Sequence, residues 1–213
     1  MRPAANPRRG DVKKLQADAI PATTATYNRP MNPAANLILV GPMGAGKSCI
    51  GRRLAEHYAL RLVDADREIE QRTGASVATI FECEGEAGFR ARETATLAEL
   101  LAGDEHLVAT GGGAVLDPAN RRLLRERGFV VYLRIDVHGQ LQRLARDRAR
   151  PLLQREDRED VLRQLALVRE PLYAEVADLG FDTGDMAPAG AAAALAQLLA
   201  AHWQRPQASR QQA

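Results

Sequence analysis

Lys47 and Ser48 close the run Gly41-Pro-Met-Gly-Ala-Gly46, which gives GxxxxGKS spacing. This residue set points to a bound nucleoside triphosphate. Glycine lets the backbone turn tightly enough to face several N–H groups inward. Gly44, Ala45, Gly46, Lys47, Ser48 and Cys49 are therefore expected to cradle phosphates where a helix begins. The Lys47 ammonium would reach the β- and γ-phosphates, and the Ser48 hydroxyl a magnesium ion. A chance glycine-rich turn needs no particular flanks, whereas four apolar residues at 37–40 precede this loop and a helix-compatible run follows it.

Three further constellations could act beside a triphosphate. Asp64-Ala65-Asp66 ends an apolar run and is expected to set two carboxylates on one side of an extended segment. One could hold magnesium through water and the other could orient an acceptor hydroxyl, although capping of the helical run after Asp66 would account for one of them. Arg90 and Glu93 stand three apart on one helix face, where they could pair or where Arg90 could fork onto a substrate carboxylate. Gly111, Gly112 and Gly113 leave only backbone at a strand end, so a small ligand could approach their N–H groups closely. The arginine-dense segment 143–158, with Arg143, Arg146, Arg148, Arg150 and Arg155, is expected to be a lid that excludes water, with Arg150 as the inserted arginine. Arg169 stands two residues before Pro171, which is expected to distort its helix and aim the guanidinium inward.

The elements that must position these groups alternate. Short apolar runs near 37–40, 61–64, 106–109, 129–134 and 179–182 read as strands. Helices are expected at 47–59, 86–102 and 158–178. Such alternation implies a parallel sheet, whose ligands gather beyond the carboxyl ends of the strands. Residues 1–35 carry five prolines and no apolar period, and read as a disordered extension; Met31 could be the true start. The glutamine-rich residues 204–213 read as a flexible tail, which leaves one domain over 36–203.

Composition narrows the partners. The chain has 213 residues, 46% hydrophobic and 26% charged, which suits a single core of good size. A formal charge of +2 argues against bulk nucleic-acid binding. No stretch is apolar enough to span a membrane, the alanine-rich segment 187–201 included. Cys49 and Cys83 suit a reduced compartment, with Cys49 expected to pack against the sheet as a small residue. A cytoplasmic location and a monomer are expected.

Taken in order, GPMGAGKS, DAD, IFECEGEAGFRARE, GGGAV, RPLL and REPLY resemble shikimate kinase, and the likeness runs over roughly residues 37–182. The resemblance implies a three-layer α/β/α P-loop kinase fold, with a central parallel sheet of about five strands plus lid and substrate-binding segments. It implies transfer from ATP, with Mg2+, to the 3-hydroxyl of shikimate in aromatic amino-acid biosynthesis. By similarity, Lys47 and Ser48 carry the nucleotide and metal roles, Asp64 supports magnesium, and Asp66 bonds the acceptor hydroxyl and takes its proton. Arg90, Gly111, Gly112, Gly113 and Arg169 match the shikimate-holding positions. Glu93 would orient Arg90, Phe81 and Phe89 would wall the pocket, Arg150 matches the lid arginine, and Arg143 the position near adenine. A kinase of another small hydroxylated acceptor such as gluconate is the rival enzyme. A non-catalytic nucleotide switch is the rival binder, but it would need an NKxD-type guanine motif that the chain lacks.

Overall fold

The computed structural model describes residues 25–26, 33–145, 157–184 and 186–206. Their centre is β2 (Asn36–Val40), every residue of which is buried. A strand covered on both faces reads as an unbroken apolar run, as Leu37 to Val40 do. β2 lies between β4 (His106–Ala109) and β5 (Gly128–Arg134), with β3 (Arg61–Asp64) beyond β4 and β6 (Leu179–Asp182) beyond β5. These five strands are parallel, and Leu37 stands opposite Leu107 on one side and Phe129 on the other. A two-residue edge strand, β1 (Ala25–Thr26), pairs antiparallel with β6, inside the stretch expected to lack structure. The chain leaves β2 toward β3 on one side and later returns to β5 on the other. The order therefore switches at β2, which places the loop after it at the crevice such sheets offer a ligand.

Alternation along the strands divides the core into two layers. Leu37 and Leu39 face α1 (Lys47–Tyr58) and α7 (Pro188–His202), among Ile50, Leu54, Leu195 and Leu199. Ile38 and Val40 face the opposite layer, with Leu97 and Leu101 of α3 (Val77–Ala102), Leu124 of α4 (Pro118–Arg127) and Tyr173 and Val176 of α6 (Arg158–Val176). The remaining helices are α2 (Ala65–Thr73) and the short α5 (Val137–Arg143). Among the described residues no helix is long and apolar enough to cross a membrane.

Element ends follow local chemistry. α1 stops at Ala59, which takes a left-handed φ of 51° and donates its N–H to Ala55 O. α3 begins at Val77, nine residues before the expected start at 86. The Ser76 side chain caps it by accepting from Thr79 N–H, and Gly85, at φ 71°, kinks it. α6 passes through Pro171 and ends at Val176. Proline costs one backbone bond there, but the helix is already anchored by Leu162, Tyr173 and Val176 in the core. Asn36 ties the amino ends of three strands together: Nδ2 donates to Gly103 O at 2.9 Å and Arg127 O at 3.1 Å, and Oδ1 accepts from His106 N–H at 2.9 Å. The described residues after α7 are fastened too. Trp203 is 6% exposed and donates its indole N–H to Ala34 O, while Arg205 donates to Tyr58 O and pairs with Glu105. Ordered contacts thus extend two residues past the expected boundary at 203.

Candidate active site

The loop after β2 is built from left-handed glycines. Gly41, Gly44 and Gly46 have φ of 141°, 80° and 90°, and a Cβ on Gly41 would strike the carbonyl oxygen of Leu133. Any other residue at Gly41 would be strained and would collide with β5. Ala45 is buried beneath the loop. Lys47 opens α1 and folds back over the loop, its Nζ donating to Gly41 O at 2.7 Å and Pro42 O at 2.9 Å. A bound phosphate would compete for those donors with far greater charge.

Ser48 Oγ donates to Asp64 Oδ2 at 2.5 Å, so a hydroxyl and a carboxylate meet beside the loop. Two hard oxygen donors fit Mg2+, which keeps several waters and takes its other ligands from phosphate. Asp64 has a second task. Its Oδ1 accepts from Arg67 N–H at 3.4 Å and caps α2, which begins at Ala65. The expectation of an extended Asp64-Ala65-Asp66 with Asp66 as the possible cap is corrected accordingly. The strand ends at Asp64, whose short carboxylate suits the cap, and Asp66 lies in the first helical turn. Cys49 is also corrected. It is exposed, because the buried face of α1 is carried by Ile50, Gly51, Leu54 and Ala55 and Cys49 lies off that stripe.

The glycine triplet follows β4 and leads into a short 3-10 turn, Ala114–Leu116. Charged side chains converge where its own side chains would stand. A Cβ on Gly111 would sit 2.5 Å from Glu93 Oε1 and 2.7 Å from Asp66 Oδ1. One on Gly113 would strike the Arg90 guanidinium, and one on Gly112 would lie 3.6 Å from both Arg169 Nη1 and Tyr173 Oη and 3.8 Å from Gly41 O. Gly41 O is the carbonyl that Lys47 holds. Asp66, Arg90, Glu93 and Arg169 therefore surround one glycine turn whose far side abuts the phosphate loop.

The electrostatics of this cluster are set by burial. Glu93 is 0% exposed and accepts from Arg90 Nη1 at 2.6 Å, while Glu86 takes the outer side of Arg90 at 3.2 Å. Burial pushes the Glu93 carboxyl above its ordinary range, and the neighbouring Asp66 adds to this, against the pull of Arg90 and Arg169. Glu93 Oε1 is buried with no hydrogen-bond partner among the described residues. Phe89 is buried and Phe81 half-exposed, their ring centroids 4.7 Å apart on the same helix as Arg90. Arg143, which the resemblance matches to the position near adenine, lies beside the phosphate loop. Its guanidinium donates to Gly44 O at 3.1 Å, to Thr183 Oγ1 at 3.0 Å and to Thr183 O and Gly184 O, so it clamps the phosphate loop to the turn after β6. Arg150 and residues 146–156 lie outside the described residues. Tyr173 escaped the reading of the sequence. It is 1% exposed, and its phenol is pushed up to about 12 by burial. The available signal was its spacing of one helical turn from Arg169.

Comparison with known proteins decides the family. The model of the shikimate kinase family matches residues 43–200. The chain belongs to the shikimate kinase family. It is 61% identical over 175 residues to the shikimate kinase of Stenotrophomonas maltophilia strain K279a, covering 82% of this chain and 97% of that protein. To the shikimate kinase of Xanthomonas campestris pv. campestris strain 8004 it is 59% identical over 173 residues, 81% of this chain and 96% of the relative. Among solved structures, the shikimate kinase from Acinetobacter baumannii in complex with shikimate superposes with a TM-score of 0.76 at 49% identity, over 79% of this chain and 94% of that one. The shikimate kinase from Bacteroides thetaiotaomicron gives 0.71 at 28% identity, over 78% and 98%. The P-loop kinase fold with five parallel strands is thus common to the chain and these shikimate kinases.

Proposed function

We propose that the chain transfers the γ-phosphoryl group of ATP to the 3-hydroxyl of shikimate, a step of aromatic amino-acid biosynthesis, and that the residues around the glycine turn hold the acceptor. One observation carries this reading: Arg90, Arg169 and Asp66 converge on Gly111–Gly113, whose middle residue lies against the carbonyl that Lys47 grips. Shikimate is a small carboxylate bearing hydroxyls. Two arginines match its acid group, which they can fork onto, and an aspartate its reacting alcohol.

In this reading Arg90 and Arg169 grip the carboxylate and the glycine N–H groups face the ring hydroxyls. Asp66 bonds the acceptor hydroxyl and takes its proton late, since phosphoryl transfer asks chiefly for alignment and charge stabilisation. Lys47 and the backbone of residues 44–49 hold the triphosphate. Ser48 and Asp64 would hold Mg2+, which when bound neutralises charge on the phosphate oxygens. Arg150 would complete the site from the lid, and Arg143 would set the loop's position. We infer a monomer working in the cytoplasm; two cysteines with free thiols suit a reducing compartment.

ADP release measured with shikimate, gluconate and nucleoside monophosphates as acceptors tests the assignment. Release only with shikimate is expected, and release with another acceptor but not shikimate would overturn it. Lys47→Ala should lower kcat by about 10²-fold or more, as loss of a phosphate-directed donor does. Light scattering across a concentration series checks the monomer.

A further inference from the structure

Tyr173 is buried in the last turn of α6, yet its polar atom faces the acceptor site. Oη donates to Gly112 O at 2.5 Å, across 61 residues of sequence. The Arg169 guanidinium, one helical turn earlier on the same face, is close enough to pull the phenol's pKa down against the effect of burial. Both polar ends meet at the same spot, since a Cβ on Gly112 would be 3.6 Å from each. The ring is held by the Tyr132 ring, with centroids 5.0 Å apart, so the hydroxyl has little freedom to leave this position.

We propose that Tyr173 is a positioning residue for the acceptor: its hydroxyl links the Arg169 guanidinium to the Gly112 carbonyl and so sets the spacing between carboxylate grip and glycine turn. The chemistry suits the task. A phenol that keeps its proton both accepts from a guanidinium and donates to a carbonyl, whereas a phenylalanine ring fills the same space and does neither. Without that link Arg169 can still reach out, but its fork is free to swing and its entropy must be lost on binding. This rests on Arg169 gripping the shikimate carboxylate.

Tyr173→Phe, which keeps the ring stacked on Tyr132, should raise KM for shikimate by about tenfold while KM for ATP stays within about twofold. In an Arg169→Ala background the same change should add less than about twofold, because the partner it positions is gone. An unchanged KM for shikimate, equal rises for both substrates, or full additivity with Arg169→Ala would overturn the inference. If Arg169→Ala itself leaves KM for shikimate unaltered, the reading of the site fails instead, and the two failures are told apart. Should Tyr173→Phe not fold, a polyfluorinated tyrosine at 173 preserves the shape with a more acidic phenol. With Arg169, Arg90 and Glu93 as the charged groups facing it, KM for shikimate should climb as that phenol loses its proton at alkaline pH. A profile matching that of the unmodified enzyme over that range would equally overturn the inference.

Discussion

Glu93 is a buried carboxylate that acts on two cations at once. It pairs with Arg90 at 2.6 Å and its charge also acts on Arg169, while its second oxygen faces the glycine turn. A carboxyl held above the ordinary 4.5 keeps its proton better in the folded chain than in the unfolded one. Its contribution to stability is therefore greatest at acid pH and falls as pH rises from the ordinary value through the raised one. Glu93→Gln escapes that loss, so the Tm difference between variant and wild type, followed from about pH 4 to 8, should shift in the variant's favour as pH rises. A pH-independent difference would mean that burial does not govern this group. Arg169→Ala should raise KM for shikimate by about 10- to 100-fold, the worth of a charged hydrogen bond, with little change in KM for ATP. Initial rates with each substrate varied in turn separate the two. The phosphate loop, Asp64, Asp66, Arg90 and Arg169 were all legible as residue types with known spacing. Tyr173 was not, because a tyrosine on an apolar helix face is ordinarily core.

The five parallel strands were also legible, since an apolar run bounded by glycine or aspartate is a local signal. The start of α3 was less so: Gly85 interrupts its period, and two helical stretches meet at a kink only tertiary packing accommodates. The N-cap of α2 moved from Asp66 to Asp64 by the same logic, as both aspartates are competent and only the turn of the chain chooses. Asn36 is the polar counterpart of this element-level order. Its three bonds join β2 to the residues flanking α3, β4 and α4, and Asn36→Ala would strand two carbonyls and an amide. The substitution should cost about 2–4 kcal/mol in urea denaturation while kcat of the folded fraction is unchanged, because the residue lies at the sheet end away from the site. A loss below about 0.5 kcal/mol would show that water replaces all three partners.

Across the whole molecule, the two ends of the described chain are joined under one aromatic cluster. Trp203 packs on Tyr58 and Phe129 and bonds Ala34, so the last helix is sealed against the strand that carries the phosphate loop. Trp203→Ala should destabilise the protein by about 3–5 kcal/mol by emptying that site, detected as a lower urea midpoint at unchanged slope. Removing residues 1–24 should change neither midpoint nor kinetics. We place the domain boundary beyond them, and a drop in either quantity would move it. The matched relatives are covered almost to their full length by about four-fifths of this chain, consistent with that placement.

The succession of strands along the chain, the loop that follows the first long one and the chemical vocabulary of the site were determined by the amino-acid sequence alone, because each is written in neighbouring residues whose period or spacing has a local physical cause. Which of those residues face one another was decided by the tertiary structure. Arg90, Arg169 and the glycine turn belong to three separate parts of the chain, and their meeting depends on the angles at which α3 and α6 pack on the sheet. Burial is likewise a property of that packing: it lifts the carboxyl of Glu93 and the phenol of Tyr173. No run of neighbouring residues encodes how much water a side chain will lose.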